Sequence, residues 1–94
     1  MSRIWKFSLT PDVAEQTIEV PAGASFLSVQ MQAGRPCLWF VVSPERERVP
    51  VSIEIVGTGW PMDLLGKAYL GTVQDGAFVW HIFTSGHPTI DFRR

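Results

Sequence analysis

Residues 26–42, FLSVQMQAGRPCLWFVV, contain two predicted β-strands and the turn between them, and this stretch decides the fold class. In the first strand the apolar side chains at positions 27, 29 and 31 alternate with serine and glutamine, which is the period of a half-buried strand. Gly34 can adopt a positive φ in the hairpin connection that follows. The apolar run CLWFVV at 37–42 predicts a second strand that is covered on both faces.

The rest of the chain has the same period of two, interrupted at short intervals by residues that favour turns. Pro11 and Asp12 separate the first two strands, and Asp75-Gly76 is a hairpin signal between the last two. Pro50 cannot donate to a ladder, which predicts that the start of its strand lies at an edge or points that position to solvent. The other predicted strands are WKFSL (5–9), QTIEV (16–20), VPVSIEI (49–55), AYLGTV (68–73) and FVWHIFT (78–84).

These patterns predict an all-β fold, either an antiparallel β-sandwich or a small, partly open barrel of about seven short strands. Only MDLLGKA at 62–68 has a helical composition, and Gly66 limits it to at most one short helical turn. We expect a single β domain over residues 1–84. Residues 85–94, SGHPTIDFRR, form a C-terminal tail, for which an interaction segment and a disordered end are both open.

The composition argues against several classes of function. With 46% hydrophobic and 18% charged residues the 94-residue chain is expected to fold, and its net charge of −1 gives no basic footprint for nucleic acid. No apolar run approaches the roughly 20 residues that span a bilayer, and the N-terminus lacks the pattern of a signal peptide. Its single cysteine excludes an intramolecular disulfide. We expect a cytoplasmic protein with neither nucleic acid nor membrane as a partner.

The stretch IVGTGWP at 55–61 has two glycines around Thr58, as a phosphate-binding loop would. A dinucleotide-binding loop needs a third glycine and a following helix, whereas Trp60 and Pro61 follow here. The stretch therefore predicts a tight turn at the tip of a β-structure. Such a turn only redirects the chain, or it presents Trp60 and backbone N–H groups to an anion or a partner.

The glutamines of the first strand form a neutral hydrogen-bonding row, Gln30 and Gln32, with Arg35 just beyond it. This row is either the solvent side of an amphipathic strand or a surface for a small polar ligand or another subunit. Trp39 and Trp60 are close to turns, and each offers a flat ring on which a base can stack with about 1 to 3 kcal/mol per contact. Aromatic residues are numerous for one small core, which places some at an interface and predicts a homo-oligomer.

The sequence contains no evident catalytic or metal-binding group. His81, in VWHIF, shares a strand face with two apolar neighbours, and we interpret it as a hydrogen-bonded core or interface residue or as a donor to a ligand. A hydrolase would need Cys37 beside His81, because a thiolate nucleophile requires a base. The other candidate ligands, His87 and Asp91, lack the short spacing of a zinc site. We therefore predict a protein that is not an enzyme and that uses no metal or cofactor.

Three blocks of the chain resemble those of one family: G-x-P-C-L-W at 34–39, G-T-G-x-P at 57–61 and G-T-x-Q at 71–74. Over residues 3–84 the ordered series of blocks is similar to a small family of bacteriophage and prophage proteins, a domain of unknown function. The tail departs from that pattern. The resemblance implies a phage origin and expression in the host bacterial cytoplasm, and no catalytic residue comes with it.

Two functions follow as hypotheses. The first is a non-enzymatic phage accessory protein, a counter-defence binder that forms a homo-oligomer and blocks a host protein or sequesters a small nucleotide-like signal. The alternative is a structural or virion-associated oligomeric module, with the aromatic residues buried between subunits. The residues predicted to contact a ligand or partner are Gln30, Gln32, Arg35, Trp39, Thr58, Trp60 and His81.

Overall fold

The computed structural model describes residues 1–93, which form seven β-strands and no helix. The all-β prediction is confirmed, and each predicted strand is present close to its expected bounds. Residues 62–67 make a turn rather than a helical turn, closed by a hydrogen bond from the Lys67 N–H to the Leu64 carbonyl at 3.0 Å. The strands are β1 (Arg3–Ser8), β2 (Glu15–Pro21), β3 (Ser25–Gln32), β4 (Arg35–Val42), β5 (Arg48–Gly57), β6 (Ala68–Asp75) and β7 (Phe78–Gly86).

The strands form two antiparallel sheets that pack face to face as a sandwich. One sheet has three strands in the order β1-β4-β3, and the other has four in the order β2-β5-β7-β6. The inward side chains of both sheets meet in one hydrophobic core, as the alternating pattern requires. Its largest fully buried members include Leu38, Phe40, Ile53, Ile55 and Ile82.

The hairpin between β3 and β4 turns through two residues that both have positive φ. Gln32 pairs with Arg35, which leaves Ala33 (φ 52°) and Gly34 (φ 78°) as a two-residue loop. Positive φ at both positions is the signature of a type I′ turn, whose twist matches that of the strands it joins. The predicted hairpin is therefore confirmed, although alanine is an unusual residue for its first position.

The apolar run of β4 is fully covered on its core face, but on its outer face only Cys37 is buried. The prediction of cover on both faces is therefore wrong for part of the run. Leu38 and Phe40 point into the core and are fully buried. Trp39 and Val41, on the other face, are half-buried. The difference arises because β4 is the central strand of a sheet whose outer face packs on no second layer within residues 1–93.

A β-bulge at Leu27 changes the predicted facing of β3. Phe26 pairs with Phe40, but the next pair is Ser28 with Trp39, so Leu27 is an extra residue. Phe26 then joins the core, while Leu27 lies beside Ser28 at the outer face. The predicted grouping of Leu27 with the two inward apolar positions that follow it is therefore wrong.

Pro50 lies where the four-stranded sheet is locally only two strands wide. It pairs with Glu19 of β2, whereas pairing of β5 with β7 begins at Ser52. Pro50 is exposed. The start of β5 is thus an edge, as its missing N–H predicts.

The connection from β5 to β6 crosses the outer face of the four-stranded sheet. β5 and β6 both flank β7 and run parallel to each other, so residues 58–67, the crossover loop, must pass over β7 to join them. Val56 and Phe83 are buried although neither belongs to the central core. Both lie on the outer face of the sheet, where the Tyr69 ring packs on Phe83 with 5.5 Å between ring centroids.

The residues that follow β7 return to the three-stranded sheet. The Phe26 N–H donates to the Asp91 carbonyl at 2.8 Å, and the Asp91 N–H donates to the Ala24 carbonyl at 2.9 Å. Ile90 is buried in the core, and the Phe92 ring lies 5.9 Å from that of Phe26. Arg94, the last residue of the predicted tail, lies outside the described residues.

Candidate functional site

The outer face of the three-stranded sheet carries the polar row predicted from β3. Strand pairing places Lys6 of β1 opposite Trp39 of β4, and Trp39 opposite Ser28 of β3. Gln30 and Gln32 follow Ser28 on the same face, because strand side chains alternate. A tryptophan thus lies in one row between a lysine and a serine. We call this surface, made of Lys6, Ser28, Gln30, Gln32 and Trp39, the amide face.

A cavity of about 310 Å³ opens on the amide face. It is concave and mostly apolar with two polar groups, which is the usual make-up of a small-ligand site. The bulge contributes directly, because it moves Leu27 from the core side to the cavity wall. The lining residues are Ile4, Leu27, Ser28, Gln30 and Trp39.

The three strands of this sheet carry positive charges only. β1, β3 and β4 contain Arg3, Lys6 and Arg35 and no aspartate or glutamate. The Lys6 ammonium donates to the Gln32 side-chain oxygen across the sheet. Arg35 donates from Nε to the Leu9 carbonyl at 3.0 Å and from Nη2 to the Thr10 hydroxyl at 3.1 Å. The amide face is therefore a locally cationic surface on a chain whose net charge is −1.

Cys37 is buried, and it lies on a different sheet from His81. Its side chain is buried between strands, with Sγ 3.5 Å from the Ser8 hydroxyl and 3.5 Å from the Arg35 carbonyl. Cys37 belongs to β4 of one sheet and His81 to β7 of the other, and each points away from the core between them. The nucleophile and base of the hydrolase hypothesis are not brought together.

His81 links the crossover loop to β6. Its Nε2 is 2.7 Å from the Thr58 hydroxyl, and its Nδ1 is 2.9 Å from the Thr72 hydroxyl. The Thr72 hydroxyl in turn lies 2.5 Å from that of Tyr69. Both ring nitrogens therefore have hydroxyl partners, so this histidine is a satisfied hydrogen-bonding residue that holds the start of the loop on the sheet.

Three aromatic rings cluster where β7 begins. Phe78 stacks on Trp80 with 5.4 Å between ring centroids, and Trp60 meets Trp80 edge-on at 5.6 Å. A Cβ on Gly57 would lie 2.7 Å from the Trp60 ring, so the first glycine of the loop makes room for that ring. The cluster borders a cleft of about 220 Å³. Trp60 and Phe78 remain more than half exposed.

An ion pair fixes the far end of the crossover loop. The Lys67 Nζ lies 2.5 Å from Oε1 of Glu54. This hydrogen bond, with the attraction of the same carboxylate, raises the pKa of Lys67 above its ordinary value. Thr58 and Lys67 thus hold the two ends of the loop on the sheet, while its middle is exposed.

Family comparison covers nearly the whole chain. The model of a domain of unknown function, DUF7352, matches residues 1–91. The chain belongs to the DUF7352 family. The match runs past residue 84, where β7 and the segment after it continue. Searches of curated proteins and of solved structures found no significant match to this DUF7352 chain.

The DUF7352 fold places the predicted site residues in two groups. The first is on the three-stranded sheet and contains Gln30, Gln32, Arg35 and Trp39. The second is on the four-stranded sheet and contains Thr58, Trp60 and His81. The core separates the two sheets, so the seven residues do not form one continuous site.

Several residues of the two groups were not predicted from the sequence. Lys6 alternates with apolar neighbours in β1, but its position beside Trp39 depends on the strand pairing. Leu27 enters the cavity through a bulge that has no glycine or other sequence signal. Thr72 lies in the G-T-x-Q block, which could have suggested a role for it.

Neither a metal site nor a membrane-spanning helix is found in the part of this DUF7352 chain that the structure describes. No group of three or more His, Cys, Asp or Glu side chains within residues 1–93 is placed to hold a metal ion. The same residues contain no helix long and apolar enough to cross a bilayer.

Proposed function

We propose that the protein is a non-enzymatic binding protein that captures a small nucleotide-like ligand on the amide face. The observation that carries this proposal is the row of Lys6, Trp39 and Ser28 beside a cavity of about 310 Å³, on three strands that contain no carboxylate. An aromatic ring, neutral amides and unopposed cations match the three parts of a nucleotide: base, sugar and phosphate.

Each part of such a ligand has a group to contact. A base stacks on the exposed part of Trp39 for about 1 to 3 kcal/mol. Gln30 offers both a donor and an acceptor to polar edges of the base or sugar. Lys6 has used one of its three donors and Arg35 two of its five, so both retain N–H groups for a phosphate.

The resemblance to phage proteins suggests where this binding acts. A phage accessory protein in the host bacterial cytoplasm would sequester a nucleotide-like signal as a counter-defence factor, without chemical conversion of the ligand. Blocking of a host protein is the second form of the same proposal, and its contact surface would be the exposed aromatic residues of the four-stranded sheet.

Native mass spectrometry with a panel of bacterial nucleotide second messengers tests ligand capture. We expect the native chain to retain a ligand and Trp39→Ala to lose it, because the stacking surface is gone. Loss of a tryptophan from the core costs about 3 to 5 kcal/mol of unfolding free energy. Trp39 is half-buried at the outer face, so Trp39→Ala should cost less than this.

Trp60→Ala is the matched control, since it removes an exposed tryptophan from the other sheet. It should leave ligand capture unchanged. Retention of no ligand by the native chain would contradict the proposal. Loss of the ligand in Trp60→Ala but not in Trp39→Ala would move the site to the four-stranded sheet.

The second candidate function is a structural or virion-associated oligomeric module. It is favoured by the large exposed apolar side chains of the described residues, six of nine of which lie between Trp60 and Phe78. Mass spectrometry of purified virions separates this candidate from an accessory factor. Presence at a fixed ratio to the capsid protein supports the module, and absence removes it.

A further inference from the structure

We infer that the cleft at the start of β7 binds the guanidinium group of an arginine side chain on a partner protein. The cleft has a volume of about 220 Å³ and is lined by the rings of Trp60, Phe78 and Trp80. We call these three rings, together with the carboxylate of Asp75, the aromatic cleft. The inference rests on the second form of the proposed function, contact with a host protein, and is independent of ligand capture on the amide face.

Two of the three rings keep surface that is open to a ligand. Phe78 stacks nearly parallel on Trp80, with 11° between the ring planes, whereas Trp60 is inclined at 69° to Trp80. Trp60 is therefore steeply inclined to Phe78 as well, and the two rings form a corner against Trp80, which is buried. Trp60 is 53% exposed and Phe78 is 60% exposed, so both can contact a group that enters the corner.

A half-buried carboxylate lies on the same face of the sheet as these rings. Asp75 of β6 pairs with Phe78 of β7, one row beyond the pair of Val73 with Trp80. Residues directly opposite in an antiparallel pair have their Cβ atoms about 5 Å apart on one face. The Asp75 carboxylate has no hydrogen-bond or ion-pair partner within residues 1–93. An unpaired negative charge thus lies beside the aromatic corner.

The strands and loop around the aromatic cleft provide no cation for this carboxylate. Residues 49–92 contain a single lysine, Lys67, and no arginine. Lys67 is already paired with Glu54. A cation is attracted both by a carboxylate and by the face of an aromatic ring within about 6 Å of its centroid. The group that complements the aromatic cleft is therefore a positive charge from another molecule.

The size and shape of the cleft favour one arginine side chain over a whole small ligand. Pockets for small molecules usually have about 300 to 1,000 Å³, which is more than this cleft offers. A guanidinium group is planar, so it stacks on an aromatic face, and its N–H groups match the geometry of a carboxylate. A lysine ammonium is a compact and more strongly hydrated charge. An arginine can thus stack on Phe78 or Trp60 and donate to Asp75.

Titration with the peptide acetyl-glycyl-arginyl-glycinamide, up to about 10 mM and followed by heteronuclear NMR of the native chain, tests the inference. The indole N–H signals of the four tryptophans are separate reporters. We expect the signals of Trp60 and Trp80 to shift with a millimolar Kd. Those of Trp5 and Trp39, which lie on the other sheet, should not move. The matched peptide with citrulline, a neutral isostere of arginine, should cause no shift.

Asp75→Asn removes the charge and keeps the size of the side chain. It should weaken binding of the arginine peptide by about two- to fivefold, the range of one exposed ion pair. Trp60→Ala should weaken it by a similar factor, because one ring is lost. Glu19→Gln is the control, since it neutralises an exposed carboxylate on β2, at the opposite edge of the same sheet. This variant should bind the peptide with native affinity.

Several outcomes would overturn the inference. They are a native chain without any shift at the highest concentration, equal shifts with the citrulline peptide, native affinity in Asp75→Asn, and tighter binding of the matched lysine peptide. The proposed function can fail separately from the arginine contact. A purified host protein whose binding is lost in Trp60→Ala but unchanged in Asp75→Asn would support the host-protein form and overturn the arginine contact.

Discussion

Ala33 adopts a φ of 52°, a conformation that strains an L-residue with a side chain. It occupies the first position of the β3–β4 turn, where asparagine followed by glycine is strongly preferred. Ala33→Asn should therefore raise stability by about 1 kcal/mol, or the melting temperature by about 4 to 8 °C. Thermal unfolding followed by circular dichroism measures this.

Ala77→Asn serves as the comparison, because Ala77 sits in the β6–β7 turn without a positive φ. This variant should have the melting temperature of the native chain. An equal rise in both variants would mean that asparagine acts in some way other than by relieving backbone strain at Ala33.

The sequence predicted which face of the sheet a residue lies on only where the strand is regular. Gln30 and Gln32 lie on the outer face as the period of two predicts. Leu27 does not follow the pattern, because the bulge depends on how β3 fits β4 rather than on any residue type at the bulge. The thiol of Cys37 is buried, as expected for a cysteine in the most apolar strand.

At the scale of elements, β3 and β6 touch where the two sheets meet. A Cβ on Gly71 of β6 would collide with Cγ1 of Val29 of β3. Gly71→Ala should lower the free energy of unfolding by about 1 to 3 kcal/mol, the range of overpacked positions. Urea denaturation of the variant and the native chain checks this value.

A Val29→Ala change in the same chain tests the cause. It removes Cγ1, so the double variant should be destabilised by less than the sum of the two single variants. Additive effects would show that the loss in Gly71→Ala comes from the alanine backbone rather than from contact between the sheets.

The existence of the seven strands followed from alternation and turn residues, while their order did not. Every strand has one apolar face and exposes backbone groups on both sides, so the pattern alone permits many neighbours. Only β3 with β4 and β6 with β7 were indicated, by their short turns. The candidate site could not be predicted in full for the same reason, because Lys6 and Trp39 are neighbours only through the pairing of β1 with β4, which are distant in sequence.

At the scale of the whole molecule, the amide face and the cluster of Trp60, Phe78 and Trp80 lie on different sheets. Changes at separated sites without shared partners usually act independently. The losses of unfolding free energy in Trp39→Ala and Trp60→Ala should therefore add in the double variant. Urea denaturation of the three variants and the native chain measures this. A clear departure from additivity would show that the two sheets are coupled at these sites.

The placement of β2 makes the two halves of the chain depend on each other. Residues 1–42 hold all three strands of one sheet together with β2, yet β2 pairs with β5 of the other half. Cleavage within residues 43–47 would break no strand pair. Separation of the two fragments, however, would remove β2 and leave β5 as an unpaired edge. The first half therefore supplies β2 to the sheet of the second half. We expect the two fragments, expressed separately, to associate through pairing of β2 with β5.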